Sequence, residues 1–281
     1  MPGVPEGMVV RRRTAARGWG GLLVLVLALG GCSGTGSAAP DARGAGDPLG
    51  TVRQSADLLA ESGSSRARTA MRMASGGTEV TIRGEGVFDY ARGLGELRVT
   101  LPPGPDDEGS GPEPVTEVFA PGELFMKNRG AGVPPDKWVR VEVVGVPDGN
   151  LVTGGATDPM TAFALLRGAR SADDLGETRL GGEPVRHYRG VTDIAAAAEA
   201  AGPGPAREQL AAAVDGFART EVPFDAYLDE AGAPRGVRHR FSLAQGVRVV
   251  EVTSTVTLFG FGVPVEVALP EPAEVYWGAV A

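Results

Sequence analysis

Residues 78–90, TEVTIRGEGVFDY, alternate with a period of two. Val80, Ile82, Phe88 and Tyr90 fall on one side, and Thr81, Arg83, Glu85 and Asp89 on the other. That spacing demands a strand with one face buried and one face wet. Gly84 and Gly86 occupy apolar-side positions, where a side chain belongs if the strand is flat. Glycine there weakens a strand but lets it bend or lets another group approach closely, so the pattern predicts a strongly curved sheet.

The same alternation recurs along the chain. Strands are expected at 95–101, 115–120, 123–129, 137–144, 183–194, 222–230, 234–244, 247–259 and 264–270. Short turns bearing Gly or Pro join most of them, such as DEAGAP between Asp229 and Pro234, and short turns make antiparallel neighbours. Helical spacing is scarcer. Residues 51–62 put Val52, Ala56 and Leu59 on one face; 158–169 open with an Asp cap and a Pro at the first helical position; 205–218 space Leu210, Val214 and Phe217 at i, i+4, i+7. The expected class is α+β, one curved antiparallel sheet with two or three helices. The segment 102–114, PPGPDDEGSGPEP, reads as a solvated acidic loop.

The amino-terminal segment reads differently. Arg11, Arg12, Arg13 and Arg17 precede an apolar run of 11 residues, GLLVLVLALGG, which ends at Cys32, the single cysteine of the 281 residues. The run is too short to span a bilayer, which takes about 20 residues, and has the layout of a secretory signal peptide over 1–31. Leu29-Gly30-Gly31-Cys32 resembles a bacterial lipobox, whose cysteine carries a diacylglycerol. A membrane anchor through lipidated Cys32 is therefore expected, since two acyl chains hold a protein stably where one does not. Residues 32–50, rich in Gly, Ala, Ser, Pro and Asp, read as a flexible tether, and 51–281 as one domain. Removing 1–31 leaves 23 basic and 34 acidic side chains, a net charge of −11. Such a surface repels nucleic-acid phosphates and anionic lipid heads.

Catalytic patterns are missing from the sequence. It contains no HExxH, GxSxG, P-loop, GxGxxG or CxxC arrangement. The two histidines, His187 and His239, each share strand parity with apolar neighbours and read as packed side chains. Asp106, Asp107 and Glu108 lie in the flexible acidic loop and lack the rigid placement that a metal or a glycosidase pair requires. The expectation is a non-enzyme without catalytic residues, metal or cofactor.

WVRVEV from Trp138, DPMTAFALLRGA, GGEPVRHYRGVTD, VPFDAYLDEAGAPRGVRHRFSL and LFGFGVPVEVALP together resemble, in order, the actinobacterial LppX/LprG-type lipoproteins and their Streptomyces-like relatives. The resemblance implies a half-barrel with helices across the concave side of a bent sheet, and a carrier of lipids or lipoglycans on the extracytoplasmic face of the cell membrane. It transfers no catalytic residue. Parity and helical spacing put Val80, Ile82 and Phe88 of the sheet, Met160, Phe163 and Leu166 of one helix, and Leu210, Val214 and Phe217 of another around an apolar ligand. The competing reading is an envelope protein-interaction or sensing module in which the same residues form a filled core.

Overall fold

The computed structural model describes residues 46–75, 78–102, 113–130, 132–245 and 248–277. Cys32, the signal segment, most of the tether and the acidic triplet 106–108 lie outside the described residues. No helix among the described residues is long and apolar enough to cross a membrane.

Helix α1 (Pro48–Glu61) starts three residues before the apolar period does, because Asp47 accepts a hydrogen bond from Gly50 N and Pro48 sits in the first turn. Then come β1 (Ser64–Ser75), β2 (Thr78–Asp89), β3 (Leu94–Thr100), β4 (Val115–Ala120), β5 (Glu123–Lys127) and β6 (Trp138–Glu142). A crossing loop over 148–158 leads to α2 (Pro159–Ala164), followed by β7 (Ala169–Leu180), β8 (Glu183–Asp193), α3 (Ile194–Ala200) and α4 (Pro205–Ala213). β9 (Glu221–Leu228), β10 (Pro234–Gln245) and β11 (Arg248–Phe259) complete the set.

The eleven strands of the described residues form one antiparallel sheet in the order β6-β5-β4-β3-β2-β1-β11-β10-β9-β8-β7, with its first and last strands unpaired to each other. The class is α+β, and the sheet is open. Ten inter-strand spacings would make a flat sheet roughly 48 Å wide, whereas a helix the length of α1 reaches only about 21 Å. Yet Arg53 of α1 donates to the Ala169 carbonyl on β7 (3.0 and 2.6 Å), while Ala56, Leu59 and Ala60 face the β4–β5 turn. The sheet must curl around the helices. One apolar cluster accordingly joins Leu124 of β5, Phe163 of α2, Leu210 of α4 and Phe224 of β9.

The glycines show where the curl is made. A Cβ on Gly86 would stand 1.8 Å from the Glu96 carbonyl oxygen and 2.9 Å from Leu97 Cα, both on β3. In the other half of the sheet, a Cβ on Gly190 of β8 would meet the Ser171 carbonyl of β7 at 2.0 Å. At both points the next backbone occupies the place of a side chain.

Several sequence expectations need correction. There are four α-helices among the described residues, not two or three; α3, IAAAAEA, is nearly all alanine and carries no apolar period to detect. The helix expected over 205–218 ends at Ala213, with a 3-10 turn over Val214–Gly216, and Phe217 is extended, bridged to Leu243. Gly216 lies so close to the Pro147 carbonyl that a side chain there would clash. Residues 264–270 form no ladder strand: prolines at 264 and 270 lack the N–H, and Val267 packs with Val118 and Phe125 on the convex side. Two strands were not anticipated. In β1, Ala67, Thr69 and Met71 turn inward between outward arginines, so polar Thr69 breaks the apolar signal; β7 is mostly exposed and has almost no inward face to read.

Candidate functional site

Where α1, α2 and α4 meet the β4–β5 turn they do not close. A cleft of about 270 Å³ remains, just below the ~300–1,000 Å³ usual for small-molecule sites. Its walls are apolar: Ala56 and Leu59 from α1, Phe119 from β4, Val143, and Met160 and Ala164 from α2. Small side chains explain the gap, because alanine on facing helices leaves unfilled the depth that leucine would occupy. Phe88 backs the wall, its ring 5.7 Å from that of Phe119.

One end of the cleft is polar. Asp158 caps α2, accepting from Thr161 N at 2.9 Å, and is 5 % exposed. Its burial pushes the carboxyl pKa up, against hydrogen bonds from Thr161, Met160 and Gln209 that favour the anion. Gln209 of α4 donates to the Gly149 carbonyl (2.8 Å) and accepts from Thr161 Oγ1 (3.2 Å), which ties α4 to the crossing loop and to α2. Tyr90, whose pKa burial also raises, shares a 2.5 Å hydrogen bond with Ser65. The charges at the rim are paired: Arg167 with Asp57 (2.7 Å), and Glu123 with Arg140.

No protein-family profile matches the chain, and no curated protein does. Solved structures do. The chain is similar to the lipoprotein LppX of Mycobacterium tuberculosis. That likeness has a TM-score of 0.43 at 14% identity and covers 79% of this chain and 100% of the other. LprF from Mycobacterium bovis is similar at a TM-score of 0.40 and 14% identity, over 81% of this chain and 99% of that one. A LolA superfamily protein from Nitrosomonas europaea follows at 0.35 and 9%, over 82% and 97%.

Of the nine residues that sequence periodicity places around a ligand, Met160 lines the cleft. Phe163, Leu166 and Leu210 are fully buried in the core, as is Phe88. Val80 and Ile82 lie on the concave wall in the same cluster. Val214 packs against that cluster, and the Phe217 ring lies 5.1 Å from that of Phe241. The polar end was not legible in the sequence: Asp158 was read as a helix cap, and nothing local marks Asn150 or Gln209 as facing it.

Neither histidine adjoins the cleft. His239, on the concave face of β10, is 1 % exposed, and its Nε2 has no partner; burial pulls its pKa down to about 3. His187 does reach a carboxylate. Its Nε2 lies 2.8 Å from Asp225, its ring stacks on Tyr227, and Asp225 also accepts from Arg189 (2.9 Å) and Arg240 (2.5 Å). This cluster sits on the convex face and ties β8, β9 and β10 together.

Burial works to raise the Asp225 pKa, but the hydrogen bonds from His187, Arg189 and Arg240 outweigh it and hold it at about 2. Because the folded value lies below the unfolded 3.8, the cluster's contribution is complete above pH ~4 and is lost as pH falls through 2. Urea titrations stepped between pH 4 and 2 should show Asp225→Asn with a shallower acid loss than the parent. Parallel curves would show that the cluster does not couple to folding.

Proposed function

We propose that the chain is a lipid-anchored envelope protein that holds one apolar tail in the cleft and carries it without performing chemistry. The observation that supports this reading is the cleft itself: an apolar gap, walled by helices and a curled sheet, that survives folding instead of being filled by larger side chains. Tail burial there contributes about 0.8 kcal/mol per CH₂, so affinity should grow with chain length until the gap is full. The volume suits a single chain rather than a two-tailed lipid. Anchoring through Cys32 at the extracytoplasmic membrane surface rests on the lipobox-like sequence, as does export by the 1–31 segment. The expected lining includes Met160, with Phe163, Leu166 and Leu210 packed behind it.

Ala60 offers a clean plug. It lines the cleft from the exposed edge of α1, so tryptophan there fills the opening without disturbing the core. Native mass spectrometry of the chain purified from its own host should show an alkyl-chain adduct, and Ala60→Trp should lose it while melting like the parent. An adduct retained on a stable Ala60→Trp protein, or a parent that is empty and takes up no alkyl probe, would sink the proposal.

A further inference from the structure

Asn150 lines the polar end of the cleft and is 3 % exposed. It adopts a left-handed backbone (φ 58°) because Asp148 gathers the amide N–H groups of Asn150, Val152 and Thr153 on one carboxylate. Its side-chain amide packs over Gly154 and borders the cleft. Among the described residues nothing hydrogen-bonds the Asn150 side-chain amide, while its neighbours Thr161 and Gln209 are satisfied by one another and by Gly149. The amide is accessible from the cleft, so its donors and acceptor are open to a polar group of an occupant.

Charge narrows the occupant. Among the described residues, three charged ones line the cleft: Glu123, Asp158 and Arg167. Glu123 and Arg167 are engaged at the rim by Arg140 and Asp57, and among the described residues no cation pairs with the buried acid Asp158, which lines the cleft with Asn150. We propose that this end of the cleft receives an uncharged hydrogen-bonding head, a hydroxyl or amide on a single alkyl chain, and disfavours carboxylate and phosphate heads. The inference rests on the tail-holding function proposed above and adds the head-group class.

The physics is direct. An anionic head would share a low-dielectric pocket with Asp158, and two such groups do not both stay ionised there, so binding would require proton uptake. Burial already works against the Asp158 anion. A hydroxyl needs no such adjustment and gains the Asn150 amide as both donor and acceptor.

The test titrates the full chain, carrying Cys32→Ala, with 1-monolauroylglycerol and with laurate at pH 8. Monolauroylglycerol should bind one-to-one and about tenfold more tightly than laurate, the factor expected for one satisfied hydrogen bond or one avoided anion. Asp158→Asn keeps the helix cap, since asparagine caps as well as aspartate, and should strengthen laurate until the two probes differ by less than about threefold. Asn150→Gly keeps the left-handed turn and should weaken monolauroylglycerol about tenfold while leaving laurate unchanged. Laurate binding as tightly as monolauroylglycerol to the parent overturns the head-group inference and leaves tail carrying intact. A preference for monolauroylglycerol that neither substitution alters also overturns it, because the head then lies elsewhere. Binding of neither probe removes the carrier reading and this inference together.

Discussion

Alanine at Gly86 is expected to remove most of the stability of the domain. Its Cβ would stand 1.8 Å from a carbonyl oxygen and 2.8 Å from the carbonyl carbon of Glu96, and both atoms are backbone. A side chain in the way can rotate, but β3 can retreat only by giving up its pairing with β2 between Arg83 and Asp89. Ordinary overpacking costs ~1–3 kcal/mol because neighbouring side chains adjust; here the loss should exceed about 4 kcal/mol, in the range reserved for specific structural breaks. Gly145→Ala is the matched control, since nothing lies within 4 Å of its added Cβ. It should shift stability by less than about 0.5 kcal/mol. Equilibrium urea unfolding of both variants measures the contrast. A Gly86→Ala protein with a near-parental midpoint would show that the curl of the sheet does not depend on this close approach. The consequence reaches the cleft, because the bend between β2 and β3 carries the β4–β5 turn toward α1.

The second large effect concerns two ionisable groups buried without partners. Glu117 is 1 % exposed on the concave face of β4, between Val115 and Phe119, and neither of its carboxyl oxygens has a hydrogen-bond partner. Burial raises its pKa to about 8, with Arg129 opposing weakly. The folded state therefore holds a proton that the unfolded chain releases above 4.5, and stability falls as pH rises from 4.5 to 8. His239 has the opposite sign. Burial lowers its pKa from 6.5 to about 3, so the unfolded chain takes up a proton that the folded one refuses, and stability falls as pH drops from 6.5 toward 3.

Between about pH 4.5 and 6.5 the two slopes cancel, each being about 1.4 kcal/mol per pH unit. Stability should form a plateau there and decline on both sides, with Asp225 steepening the acid limb below about pH 4. Glu117→Leu should remove the alkaline decline and raise stability at pH 8 by on the order of 4 kcal/mol, because an apolar side chain has no charge to desolvate. His239→Leu should tilt the plateau, so that stability keeps rising as pH falls from about 6.5 to 4.5, and should flatten the decline below it. Urea midpoints for the parent and both variants from pH 4 to 9 decide the matter. A parent curve that keeps rising toward pH 8, or a leucine variant at position 117 no more stable there than the parent, would mean that the carboxyl finds water or a counter-charge.

Much of the fold was legible because it follows from short-range pattern. The alternation in 78–90 marks an amphipathic strand in any setting, and Gly84 and Gly86 on its apolar side mark a bend, since no other residue leaves that space vacant. Asp158 precedes a proline and caps a helix as the sequence predicts, whereas Asp47 does the same in a segment the sequence assigns to the tether. Patterns failed where burial is one-sided or residues are small. β7 presents an exposed surface with little inward face, and α3 is a run of alanines whose packing partners set its orientation. Phe217 satisfied helical spacing, yet the chain had already turned at Gly216 against Pro147.

By itself the sequence determined a curved antiparallel sheet and a few helices to cover it. Those features depend on neighbours within a few residues: parity, capping and the lack of a Cβ. Only the tertiary structure decided that the helices fall short of the β4–β5 turn, that the gap is lined by Ala56, Met160 and Ala164 rather than by the larger Phe163 and Leu166, and that Asn150, Asp158 and Gln209 converge at one end of it. A cavity is a difference between two surfaces brought together from distant parts of the chain. Periodicity says which way each surface faces, and the depth left between them is set by how the helices seat on the curled sheet.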